Sequence, residues 1–360
     1  MMRGLRSALL TTMVGVALAV SLLFAIPANA ILHLTPDGIT DGFTLTTFAT
    51  VLPGNTGCCA GPFGVAVNGA GNVVVGLGSG PLYVFSDVDG QTPASALFTR
   101  TTNSFVGAYA SSGGVVYGAT DGGPYFSLNP NGTVANANAF PGLTSSLGMW
   151  TNPVNGHIIA QSANHGLVDI DPTTATFRVI NAGVFGDGVS VSPDGKTAYV
   201  EIGGLIRAVD IATGALGIGY GTSGAPDGSG VISGGQFNGF IIANTNFGNI
   251  DLIDPVKNTF TTIATGGTRG DYTSPDPTNG TLFLDYSDIV ARLSCPNCSF
   301  VAPPPPPGVP EPATLLLLGS GLVGLAGAAL TRRFRKPQHR QGGVTLRASS
   351  PPRRPWGFRD

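Results

Sequence analysis

Between about residue 60 and residue 295 the apolar residues come in short alternating runs, each closed by glycine, proline, asparagine or aspartate. Such runs predict short strands joined by tight turns rather than helices. The pattern repeats. Glycines open an apolar strand at Gly64, Gly107, Gly148, Gly188, Gly230 and Gly270, with spacings of 43, 41, 40, 42 and 40 residues. A turn follows each, then a second strand: VVVGL, VVYGAT, HIIAQS, TAYVEI, FIIANT and TLFLDY. Third strands end at Asp87, Asn129, Asp171, Asp210 and Asp254, each expected to start an Asx-type turn. A fourth strand completes every repeat except the last.

Four short antiparallel strands in forty-odd residues make one blade of a β-propeller. The fold class is therefore all-β, a six-bladed β-propeller over residues 43–294. The sixth repeat stops after its third strand, near Leu293. Gly42-Phe43-Thr44-Leu45-Thr46-Thr47-Phe48 reads like the outer strand TFTTIA. This N-terminal strand is expected to close the ring and cover the last open edge.

The two ends carry addresses instead of core. Arg3 and Arg6 precede an apolar stretch, Ala8 to Ile26, and an A-x-A box at Ala28-Asn29-Ala30. Residues 1–30 read as a secretory signal peptide, cut by signal peptidase after Ala30. At the other end a proline-rich linker over 299–309 leads to Pro310-Glu311-Pro312. The apolar run 313–330 has the length of a barely spanning transmembrane helix, and Arg332, Arg333, Arg335 and Lys336 form a positive-inside stop. Residues 337–360 are rich in proline and arginine and are expected to be disordered.

The order of elements over 310–336 resembles the PEP-CTERM sorting signal of Gram-negative bacteria. The resemblance rests on Pro310, Glu311, Pro312, the apolar helix, and Arg332, Arg333 and Arg335. It implies recognition and cleavage by an exosortase. The chain would be an inner-membrane-anchored precursor, then a protein of the cell surface or the extracellular space. In the middle, Ser192–Val200 (SPDGKTAYV) resembles YVTN and NHL propeller repeats. Gly61–Gly76 (GPFGVAVNGAGNVVVG) resembles NHL repeats and gluconolactonase-like propellers.

Composition narrows the partners. Charged residues are 11% of the chain, too few for a long solvated helical protein. The formal net charge of −2 hides a segregation: residues 31–330 hold nineteen acids against seven basic residues, a net of −12. A nucleic-acid binder needs a basic face, so nucleic acid is not expected. Neutral or cationic partners are favoured by such a field.

Candidate chemistry is sparse. In a propeller the loops between second and third strands sit over the central channel, where ligands bind. Their polar residues include His165, Glu201, Asn244 and Asp285. The gluconolactonase-like resemblance implies a divalent metal held by Glu201, Asn244 and Asp285; as sequence, each reads equally as a turn residue. No His-x-x-x-His pair and no G-x-S-x-G elbow occurs. No catalytic residue, metal or cofactor is expected. Ser86-Asp87-Val88-Asp89-Gly90 starts like a calcium loop but lacks the distal glutamate, and reads as a hairpin turn. Arg269-Gly270-Asp271 matches an adhesion tripeptide, though Gly270 already serves as a strand opener. Cys58, Cys59, Cys295 and Cys298 allow three disulfide pairings in an exported chain, with a local Cys295–Cys298 bridge favoured. The functional expectation is a non-enzymatic module that binds extracellular polysaccharide or envelope protein. The alternative is a secreted metal-dependent lactone hydrolase or lyase.

Overall fold

A computed structural model of the chain describes residues 31–101 and 106–301. The signal-peptide box, the sorting motif, the apolar run 313–330 and the basic tail lie outside the described residues.

Six antiparallel sheets surround a channel. Their inner strands are Pro62–Val67, Val106–Ser112, Ser145–Thr151, Val189–Val191, Pro226–Val231 and Gly270–Pro275, here blades 1 to 6. Each inner strand touches those of the two neighbouring blades, and blade 6 meets blade 1. The blades thus follow one another round the ring in chain order. Their faces are apolar and pack on the next blade, so the core is a set of interblade layers. In blade 5 the glycine at the strand-opening position is Gly228; Gly230 lies two residues further along the strand.

The chain ends are woven into the ring. Thr44–Thr50 runs antiparallel to Ile289–Ser294, with Leu45 opposite Leu293, and forms the outer strand of blade 6. Upstream, His33–Leu34 adds a fifth strand to blade 5 against Ala264 and Thr265. A short helix, Pro36–Thr40, joins the two, with Thr35 as its N-cap. The folded unit is therefore wider than the repeats alone delimit. On the C-terminal side, Ser299 pairs with Ser233 through two backbone hydrogen bonds, and Phe300 is buried. The proline-rich linker therefore cannot begin at residue 299 as the composition suggests, because backbone pairing and an aromatic anchor hold Ser299 and Phe300 to the propeller. Cys295 and Cys298 are joined (Cα–Cα 5.6 Å), and so are the adjacent Cys58 and Cys59.

One buried cation holds the closure seam. Arg292, on the third strand of blade 6, pairs with Asp87, with Asp89 (3.0 Å) and with Asp276 (3.6 Å). Its guanidinium lies 5.0 Å from the Phe48 ring centre and 4.9 Å from that of Phe283. Asp87 also accepts from Thr278 and Asn279, and Asp89 from Thr46. The Ser86–Gly90 segment is thus a turn whose acids face an arginine of the last blade.

Candidate functional site

The strand registers define equivalent positions in the six blades, and these make rings round the channel. Val65, Tyr109, Met149, Val189, Ser229 and Thr273 form one ring; they pair with the residue just before the penultimate position of each second strand. They line a small cavity in the channel. Two residues earlier comes the ring at the upper mouth: Phe63, Gly107, Leu147, Asp187, Asp227 and Asp271. Its two halves differ in kind. Blades 1 to 3 present Phe63, a glycine and Leu147, whereas blades 4 to 6 present three aspartates.

A bulge places these side chains. Register shifts interrupt the inner strands between Pro62 and Val65, Gly107 and Tyr109, Ser145 and Met149, Pro226 and Gly228, and Gly270 and Thr273. Bulges bend a strand and re-aim a side chain. Glycines admit the close approach that results. A Cβ at Gly188 would collide with the Glu201 carboxylate, and one at Gly270 with the Asn244 side chain.

The mouth is a concavity of about 250 Å³ lined by Cys59, Phe63, Asp121, Leu147, Asp187, Asp227, Arg269, Asp271 and Tyr272. Asp121 and Asp187 are exposed; Asp227 and Asp271 are buried. Arg269 donates one terminal nitrogen to Asp227 and the other to Asp271. Asn246 adds a hydrogen bond to Asp227 at 2.9 Å. The second Asp271 oxygen has no hydrogen-bond partner although its side chain is only 3% exposed. Burial pushes the Asp271 carboxyl up to about 7, against the pull of Arg269. Asp227 is raised too, by burial first, with Arg269 opposing. Phe63 meets the Tyr272 ring edge-on at 5.1 Å.

Behind the mouth lies a second ring, at the penultimate position of each second strand: Gly76, Ala119, Gln161, Glu201, Asn244 and Asp285. Three of the residues expected to hold a metal belong to it. They are not loop residues. Glu201, Asn244 and Asp285 sit within strands Thr197–Ile202, Ile241–Thr245 and Leu282–Tyr286 and are fully buried. Asn244 donates to the Asp271 and Asp285 backbone carbonyls, at 3.0 and 2.8 Å, and so ties blade 5 to blade 6. Burial raises Glu201 to about 8 and Asp285 well above the usual carboxylate range. His165 stands apart, its ring 5.2 Å from that of Phe177. Among the described residues no three His, Cys, Asp or Glu side chains converge as a metal site. Between Asp227 and Asp271, the place of a cation is taken by the guanidinium of Arg269. These residues do not fit the divalent ion of a lactone hydrolase.

Sequence reasoning passed over Asp187 and Asp227, and met Arg269 and Asp271 only as the ends of an adhesion-like tripeptide. A signal was present: Asp187 and Asp227 each immediately precede a strand-opening glycine, and Asp271 follows one.

Comparison with known proteins bears on the C-terminal end and the fold. Residues 308–335 match the model of the PEP-CTERM protein-sorting motif. No curated protein sequence matches the chain. Among solved structures, a gluconolactonase from Xanthomonas campestris is similar over 74% of this chain and 95% of its own, at 15% identity and a TM-score of 0.56. A protein of unknown function from Bacteroides thetaiotaomicron is similar over 71% of this chain and 76% of its own (10% identity, TM-score 0.53). An auxiliary nutrient binding protein from the same organism is similar over 70% and 76% (14%, 0.51). At these identities the likeness shows the fold. The motif implies export, processing by exosortase and a C-terminal membrane-anchoring sorting tail. The chain is thus an exported six-bladed β-propeller protein bearing a PEP-CTERM sorting motif.

Proposed function

We propose that this protein is a non-enzymatic binding module of the cell envelope or extracellular matrix, and that its recognition site is the upper mouth of the channel. Cleavage by signal peptidase after Ala30, and by exosortase near Pro312, would yield the mature module. It would then engage polysaccharide or protein outside the inner membrane.

One observation carries this reading: Arg269 bridges Asp227 and Asp271 inside a concavity whose other charged residues, Asp121 and Asp187, are both acidic. A metal hydrolase needs a cation with an open coordination position between such carboxylates. A guanidinium there can only donate hydrogen bonds. Paired carboxylates and an arginine suit hydroxyl and amine groups, and the formal charge at the mouth repels polyanions.

The test is titration of neutral, amine-bearing and sulfated oligosaccharides against the purified protein, with chelator present. Binding of a neutral or amine-bearing oligomer is expected, weakened at least about tenfold by D227N, since charge-assisted hydrogen bonds are the strong ones. Turnover of a sugar lactone that requires a divalent metal and is lost in E201Q would overturn this reading in favour of the hydrolase.

A further inference from the structure

The two halves of the mouth point to the chemistry of its ligand. Phe63 and Leu147 stand on blades 1 and 3, with Gly107 between them on blade 2, and Cys59 joins the same wall. Asp187, Asp227 and Asp271 stand on blades 4, 5 and 6. Because the blades follow chain order round the ring, the apolar half faces the acidic half across the channel. Gly107 lets Phe63 and Leu147 pack close over blade 2, for a Cβ there would collide with the Phe63 ring and press on Leu147. The ligand that fits is a small ring with an apolar face and a polar, positively charged edge.

We infer that the mouth takes one ring of an amino sugar, its C–H face against Phe63 and Leu147 and its protonated amine among the aspartates. This rests on the binding-module reading above and names its ligand class. Three features support an amine over a hydroxyl at the acidic half. Asp271 lines the cavity, and its second carboxyl oxygen is buried and unmet by any donor of the chain. An ammonium has three donors and no acceptor, so it can meet Asp271 and Asp187 together. Four mouth carboxylates face a single arginine, so a cation is drawn in from a distance. The donors that Arg269 does not use on Asp227 and Asp271 remain for ring hydroxyls. The cavity, about 250 Å³, suits one ring rather than a folded peptide segment.

Binding should couple to protonation. Asp121, Asp187, Asp227, Arg269 and Tyr272 face Asp271 in the mouth, and Glu201 and Asp285 lie behind it. A bound ammonium favours ionised Asp271, so amine binding should lower the Asp271 value from about 7 and release its proton.

The experiment compares four probes by calorimetry: a glucosamine hexamer, its N-acetylated counterpart, a glucose hexamer and oligolysine. At pH 7 the glucosamine hexamer is expected to bind roughly tenfold or more tighter than the acetylated one, and D271N should bring that ratio close to one. D187N, at an exposed position, should reduce the preference without risk to folding. Equal binding of the free and acetylated hexamers would overturn the amine assignment and leave the binding-module reading standing. Oligolysine binding more tightly than any sugar would also overturn it, in favour of a basic peptide. If none of the four binds, and D227N changes nothing, both readings fall.

Discussion

Two arginine–aspartate clusters in this molecule have nearly the same composition and opposite characters. Arg292 meets Asp87, Asp89 and Asp276 at the closure seam; Arg269 meets Asp227 and Asp271 at the channel mouth. Arg292 lies against two aromatic rings that touch each other, and the acids around it accept further bonds from Thr46, Thr278 and Asn279. Arg269 lines an open concavity, twice as exposed as Arg292, and leaves a buried carboxylate oxygen of Asp271 without a donor. Desolvation makes a buried pair costly unless every lone pair is met. Neither cluster meets that condition in full: Asp276 Oδ2 and Arg292 Nε at the seam, and one Asp271 oxygen at the mouth, have no hydrogen-bond partner. What separates the two is access, because Arg269 and Asp271 line an open concavity that a ligand can enter.

The comparison breaks first at the seam. R292A leaves three aspartates facing each other between blades 1 and 6, and removal of one partner from a buried ion pair costs about 3–5 kcal/mol. For a domain of this size that is on the order of a 10 °C fall in melting temperature. A melting curve within about 2 °C of the parent would mean that Arg292 is no lock.

A middle-sized effect is expected behind the mouth. Glu201 has a folded-state value near 8 against an ordinary 4.5. The folded protein therefore holds a proton that the unfolded chain releases. Its contribution to stability is fully present below about 4.5 and is lost as pH rises towards 8. E201Q keeps the neutral shape, and blade 3 already carries Gln161 at the equivalent position. The variant should match the parent near pH 5 and exceed it by roughly 1–3 kcal/mol at pH 9. Denaturant titrations at the two pH values decide this; a constant offset would show that burial does not hold the proton on Glu201.

The smallest effect on stability belongs to Arg269. In R269A the two aspartates can take up protons or reach water through the mouth, so the loss near pH 6 should be under about 1 kcal/mol. Oligosaccharide binding should nevertheless be lost. A stability loss equal to that of R292A would erase the distinction between the two clusters.

Much of the architecture was legible along the chain. The forty-residue spacing of strand-opening glycines marks the blades, because each blade is one local hairpin unit with its own turns. The strand Thr44–Thr50 could be matched to the last blade, since an outer strand has a recognisable pattern and an open edge needs cover. The short Cys295–Cys298 link was legible for the same local reason. By contrast, Glu201, Asn244 and Asp285 read as turn residues and proved to be buried strand residues. Side-chain alternation in a strand depends on register, and the bulges that set it are not written in any single repeat.

The sequence by itself determined the fold class, the blade count and the C-terminal sorting motif, because these depend on contacts within about forty residues or on a short local pattern. Only the tertiary structure decided which charges meet. Asp87 and Arg292 are 205 residues apart, and Asp227 and Arg269 are 42 apart on neighbouring blades. Ring closure brings the first pair together and packs it against the Phe48 and Phe283 rings. Bulged inner strands turn Asp187, Asp227 and Asp271 towards the channel opposite Phe63 and Leu147. Identical residue types thus join blades at a seam in one place and line an open concavity in the other, because burial and partner geometry, not identity, set what a charge can do.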